Sequence, residues 1–227
     1  MKATAAVVLY WTGARVGSNA TGMASKKGVE GFGILNLRIR HIKFTTTSVI
    51  LEYAGKKGMH QKHILPMNDA AHKLVAKHLK QLAAGKGKED LLFSVPAKTK
   101  GKVTPLTFGL FSKYLKSNGF TMGAHKLRHV RGTSAVKRLL EENTWKPSKT
   151  ATTLAKRQRE AEKWIKEKVL VKIANILGHQ SKNKTTGVTT PAWQTSIKSY
   201  INPDVVRQWF VSNKLDVPNW VPNKLDT

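Results

Sequence analysis

Residues 49–65, "VILEYAGKKGMHQKHIL", decide the fold. β-Branched and aromatic residues lead into "AGKKG", and a second run of extended character follows, so the stretch predicts a β-hairpin. Working upstream, "GILNLRIRHIKF" alternates apolar and polar side chains from Leu35 to Ile42, which predicts another strand beside it. Further upstream, "MKATAAVVLYWTG" reads as a buried strand or helix rather than a signal peptide, because "YWTGAR" offers no convincing cleavage site.

Downstream of the hairpin the period changes to that of helices. Asn68 can cap a helix whose apolar face is Ala71, Leu74, Val75, Leu79 and Leu82, closed by Gly85. "GKGKED" reads as a loop and "LLFS" as a short strand. Pro105 suits the first turn of a helix carrying Phe108, Phe111 and Leu115, stopped by "SNG". A further helix runs from about Gly123 to Asn143, and "TWKPSKT" is a linker. From about Thr152 to Leu177 a charged helix places Ile165, Val169, Ile173, Ile176 and Leu177 on one face. "SKNKTTGVTTP" reads as a polar loop. Pro203 opens a last helix with Val206 and Phe210. The expected class is α+β: a small N-terminal antiparallel sheet and hairpin over about 30–66, then a helical body over about 67–213. One domain, 1–227, is expected, with a candidate flexible joint at 144–151.

Composition bounds the function. Of 227 residues, 40 are Lys or Arg and 13 are Asp or Glu, a formal net charge of +27. Such a surplus, spread along the chain, points to a polyanion, with DNA or RNA as the leading partner. Cysteine is absent, which excludes disulfides and thiolate metal sites and favours an intracellular setting. No run reaches about 18 apolar residues, so no membrane partner is expected. The adjacent acid pairs are Glu89-Asp90 and Glu141-Glu142, and both read as solvated surface. Metal-dependent nucleases need clustered carboxylates. Strand cleavage by this chain is therefore expected to need neither metal nor cofactor.

Five stretches matter together: "TGARVGSN" with Arg15, "YAGKKG" with Lys56 and Lys57, "HKLRHVRGT" with His125 and Arg128, "NILGHQ" with His179, and "SYINPDVVRQWF" with Tyr200. Taken singly, each has a bland reading: a surface arginine, solvated turn lysines, a chance helical pair, a histidine at a helix end, a core aromatic. In this order the set resembles the active site shared by type IB DNA topoisomerases and tyrosine recombinases. "TGARVGSN" is similar to the topoisomerase first-arginine box, "GFGILNLRIRHIKF" to its following strand, and "YAGKKG" to its lysine hairpin. The resemblance covers about residues 10–210. Three departures stand out: Ser18 intervenes before Asn19, His125 occupies the place where topoisomerases commonly carry lysine, and the loop from His179 to Tyr200 is longer than usual.

The resemblance implies roles. Tyr200 would be the nucleophile, storing the broken bond as a phosphodiester so that no ATP is needed. Arg15 and Arg128 would hold the non-bridging phosphate oxygens, since guanidinium is planar, permanently charged and bidentate. His179 would add a third donor. Lys56, with Lys57 as the near alternative, would protonate the leaving 5′ oxygen. His125, Lys57, Arg38, Arg40 and Lys198 would support or grip the DNA. Tyr200 is also singled out among the four tyrosines: Tyr10 sits in an apolar run, Tyr53 in the hairpin and Tyr114 on an amphipathic helix. The implied protein is a DNA-associated, monomeric type IB topoisomerase catalytic domain, and the family's N-terminal DNA-clamping domain is expected to be missing from this chain. A tyrosine recombinase catalytic domain and a non-catalytic basic binding module are the two rival readings.

Overall fold

The computed structural model of the chain describes residues 1–17, 23–24, 30–55, 58–97, 103–183 and 185–224. The chain divides into two compact units, Met1–Leu127 and Arg128–Thr227. The stretch 144–151 lies inside the second.

In the first unit, α1 (Lys2–Thr12) buries Ala5, Val8 and Leu9 and ends on Gly13, whose left-handed φ of 62° lets its N–H return to Leu9. Two short strands, β1 (Met23–Ala24) and β2 (Glu30–Gly31), pair antiparallel. The predicted hairpin is present as β4 (Ser48–Ala54) and β5 (His60–Pro66), registered from Ser48 opposite Pro66 to Ala54 opposite His60. Val49, Leu51 and Tyr53 point inward while Glu52 faces water, the alternation that fixes a strand's register. β3 (Ile42–Phe44) completes a three-stranded sheet.

The expected strand from Leu35 to Ile42 is instead two single 3₁₀ turns, Ile34–Asn36 and Ile39–His41, and pairing starts only at Ile42. Side chains capture the backbone donors a strand would need. Asn36 Oδ1 accepts from the Gly33 N–H at 2.6 Å, and His41 Nδ1 accepts from the Arg38 N–H at 3.0 Å. Gly33 is obligatory here, because a Cβ would lie 2.4 Å from the Gly17 nitrogen.

α2 (Ala70–Ala83) is capped by Asp69, not Asn68: Asp69 accepts from the His72 N–H at 2.8 Å. Val75, Ala76 and Leu79 are buried, whereas Leu74 is 53% exposed and off the expected face. β6 (Ser94–Pro96) pairs with β7 (Val103–Pro105), so Pro105 ends a strand. α3 (Phe108–Ser117) starts from a Thr107 cap and buries Phe111 and Leu115.

α4 (Lys126–Glu142) supplies Ala135, Val136 and Leu139 to the core of the second unit. The charged helix is one continuous rod in three parts: α5 (Leu154–Trp164), a π-helical stretch (Ile165–Leu170) and α6 (Val171–Ile176). Ile165, Val169, Ile173 and Leu177 are buried along it, as the period requires, and Ile176 is partly covered. The expected polar loop after Gln180 is bounded by a further antiparallel pair, β8 (Gln180–Lys182) with β9 (Thr189–Pro191). Sequence reading missed the short helix α7 (Trp193–Ser199). α8 (Pro203–Ser212) has Pro at its first position and Asn202 as cap. The C-terminal segment straps back: Trp220 donates to Glu162 at 3.0 Å and meets the Trp193 ring edge-on at 5.4 Å, with the Lys166 ammonium over both indoles.

His41 gives the first unit a pH dependence. Burial, then the neighbouring Arg40 and Arg38 charges, push its pKa down to about 4, with Glu89 opposing. The unfolded ring binds its proton near the usual His value of about 6.5. The unfolded state therefore takes up the proton first as pH falls. Stability should drop by about 1–2 kcal/mol between pH 7 and 5, and go on falling until pH 4. Urea unfolding of the parent and of His41→Gln checks this: between pH 7 and 5 the parent should lose about 1–2 kcal/mol more stability than the variant.

Candidate active site

Three of the five expected catalytic side chains converge within the second unit. Arg128 lies in the first turn of α4 and is 3% exposed. Its NH2 donates to the Leu177 carbonyl at 2.6 Å and lies 3.2 Å from His179 Nε2. Its NH1 donates to the Tyr200 hydroxyl at 3.3 Å, and the guanidinium carbon sits 4.6 Å from the centre of the Tyr200 ring.

The local sequence explains each placement. α6 ends in a Schellman motif: Gly178 adopts φ 66°, the His179 N–H returns to the Ala174 carbonyl, and the Gly178 N–H to Asn175. The Leu177 carbonyl, left without a helical partner, is free to receive Arg128. His179 then leaves the helix end with its ring 4.5 Å from the Tyr200 ring. Its Nδ1 is 2.9 Å from the Ser196 hydroxyl, and its carbonyl accepts from the Ala192 N–H. Tyr200 closes α7, its N–H bonded to the Ser196 carbonyl at 2.9 Å. It is half-buried rather than a core aromatic.

Three further residues shape the site without having been singled out in the sequence. His129 is buried and its ring lies 5.1 Å from that of Tyr200. Thr133 accepts the Asn202 N–H at 2.9 Å, two residues past the tyrosine. Gly132 lies where the Tyr200 backbone passes: a Cβ there would be 2.6 Å from the Tyr200 carbonyl oxygen. One signal was available, since Gly132 and Thr133 lie one helical turn beyond Arg128 and His129, on the face those residues share.

The remaining candidates belong to the first unit, fall outside the described residues or sit on the surface of α7. Arg15 is exposed in the first unit, on a segment held by its own backbone: the Arg15 carbonyl accepts from the Ile34 N–H at 2.8 Å. Gly17 turns that segment with φ 84°. Lys56 and Lys57 lie outside the described residues; the turn around them is framed by Gly55, whose N–H reaches the Met59 carbonyl at 2.6 Å, and by Gly58 at φ 73°. His125 precedes α4 and is exposed, so it does not share the buried face of Arg128. Arg38 and Arg40 both pair with the Glu89 carboxylate, and Arg38 also donates to the Glu89 carbonyl. Lys198 is exposed on α7. Among the described residues, no group of three or more His, Asp or Glu is placed to hold a metal ion, and no helix is long and apolar enough to cross a membrane.

The Gly132 contact has a measurable consequence. Helix propensity alone predicts that Gly132→Ala stabilises by up to about 1 kcal/mol. The clash with backbone should outweigh that gain, for a net loss of about 1–3 kcal/mol, as overpacking costs. Thermal and urea unfolding of the two proteins decide the sign.

Comparisons with known proteins bear on the family of the chain. The family model for the catalytic core of eukaryotic DNA topoisomerase I matches residues 1–202. Among curated proteins, none matches the chain. Among solved structures, the chain is similar to the XerH site-specific recombinase bound to its difH substrate in a pre-cleavage complex, at 18% identity and a TM-score of 0.41. That likeness covers 79% of this chain and 40% of the recombinase. With nine-tenths of its length matched by the family model, the chain belongs to the family of the eukaryotic DNA topoisomerase I catalytic core.

Proposed function

We propose that the chain is a type IB topoisomerase catalytic domain, which nicks one strand of duplex DNA through a 3′-phosphotyrosyl bond, lets the free end rotate and reseals it. The observation that supports this best is the convergence of Arg128, His179 and Tyr200 from three different helix ends. In this reading the Tyr200 oxygen attacks phosphorus, its proton passes to solvent, and the bond to the 5′ oxygen breaks. Arg128 and Arg15 stabilise the charge on the non-bridging oxygens, and His179 donates a third hydrogen bond. Lys56, or Lys57 beside it, protonates the departing oxygen. The exposed basic surface, Lys198 and His125 included, grips phosphates with little base reading, and its affinity falls with salt. The arginines supply the positive charge, so the reaction proceeds in excess chelator.

A recombinase reading is favoured by one feature, the "HKLRH" stretch with His125 three residues before Arg128. Relaxation of an arbitrary supercoiled plasmid by dilute protein supports the topoisomerase. Cleavage confined to one repeated site supports the recombinase.

The direct test is a denaturing gel of protein with nicked, end-labelled duplex. The parent should form a covalent species. Tyr200→Phe should form none, while its duplex affinity stays within about threefold, roughly 0.7 kcal/mol. Adduct formation by the variant, or none by the parent on any duplex, overturns the reading.

The lysine has its own test. Lys56→Ala should cleave about 10²–10⁴-fold slower than the parent on ordinary DNA. Replacing the bridging 5′ oxygen by sulfur gives a leaving group that needs no proton, and should restore the rate. Rescue of Lys57→Ala instead would move the role one residue along. Rescue of neither would remove the hairpin lysines from proton transfer.

A further inference from the structure

Ser196 is fully buried, one helical turn before Tyr200. Its hydroxyl has two neighbours: His179 Nδ1 at 2.9 Å and the Ala192 carbonyl at 3.5 Å. Directions follow from what each group can do. A guanidinium only donates, so the Arg128 NH2 at 3.2 Å must face a lone pair on His179 Nε2. A second positive charge on the ring is disfavoured so close to a buried guanidinium. The ring is therefore neutral with its proton on Nδ1. That proton points at the Ser196 oxygen, and the serine's own hydrogen is left for Ala192.

A ring in that tautomer cannot donate from Nε2, the nitrogen that faces Arg128. Yet the proposed reaction needs His179 to donate to a phosphate oxygen. We propose that Ser196 is the positioning residue that sets the tautomer of His179, its hydroxyl turning from the Ala192 carbonyl in the DNA-free site to Nδ1 when a phosphate is bound. The inference rests on the proposed function. When a phosphate oxygen arrives, it draws the Arg128 N–H groups to itself and offers Nε2 an acceptor. Nδ1 then gives a proton to water, Nε2 takes one from water, and the net charge of the ring is unchanged. The hydroxyl follows by rotation about one bond. Serine suits the place because a hydroxyl donates and accepts, so Nδ1 has a partner in both states. Alanine satisfies neither, and an amide or carboxylate would be too large for a fully enclosed position.

The test uses nitrogen chemical shifts of the full-length protein labelled in histidine. Free protein should show His179 with the proton on Nδ1. Tyr200→Phe bound to intact duplex should show it on Nε2. An unchanged tautomer, or a doubly protonated ring in either state, overturns the proposal. In parallel, Ser196→Ala should form adduct roughly ten- to a hundredfold more slowly in single turnover, the range seen when the partner that orients a metal-ligating histidine is lost. Its duplex affinity should stay within about threefold of the parent. Ser196→Thr, which keeps the hydroxyl, should recover most of the rate. An Ala variant as fast as the parent overturns the proposal. If Ser196→Ala does not fold, the spectra of the other two proteins still decide. Adduct from the parent with no change of tautomer rejects this inference alone. No adduct from the parent on any duplex rejects the proposed function, and the nitrogen shifts then settle the role of Ser196 on their own.

Discussion

A guanidinium taken out of water organises the second unit. Burying such a charge costs several kcal/mol unless its donors are met and its charge is used. Arg128 meets that demand with the end of α6 through Leu177, with His179 just beyond it, and with the end of α7 through Tyr200. Each partner is available because a helix stops there. Gly178 ends α6 and frees a carbonyl, and the chain after Ser199 turns before Pro203 starts α8. The arginine is thus a packing element and the candidate oxyanion ligand at once. Removing it would leave the Leu177 carbonyl buried without its strongest donor.

Much of this was legible in the sequence, for identifiable reasons. The β4–β5 hairpin carried both its turn and its alternation. Gly178 and Pro203 marked helix ends through backbone restrictions that context rarely overrides. Tyr200 stood out because the other tyrosines lie in apolar or amphipathic runs. Other features depended on contacts that a linear pattern does not show. Leu35 to Ile42 alternates like a strand, yet Asn36 and His41 divert the backbone into turns. His125 lies three residues before Arg128 and His129 directly after it. Only the start of α4 at Lys126 decides that His129 turns inward and His125 faces water. Ser196 lies on α7, whose start no capping side chain marks.

The first unit reaches its geometry by backbone means. The Arg15 segment crosses the Gly33 segment closely enough that neither Gly17 nor Gly33 has room for a side chain. The Ile34 N–H fixes the Arg15 carbonyl, and the Leu35 N–H fixes that of Val16. The arginine side chain is left exposed on that support. The helical unit does the reverse, and locks its arginine through the side chain itself.

The π-helical stretch between α5 and α6 gives the rod a place where length and phase are decoupled. A wide turn closes i to i+5, so it holds about one residue more than an α turn between the same two points. Deleting one residue from 165–170 would let the rod relax to α pitch with the phase of α6 kept. An ordinary helix advances about 100° and 1.5 Å per residue, so a deletion in the regular turns of α5 or α6 would instead rotate everything beyond it. Leu177 would swing off the core, and the carbonyl that receives Arg128 would face another way. Length variation among relatives should therefore collect in the turn between β8 and β9 and as the loss of one residue from the wide turn, and be absent from the α turns on either side.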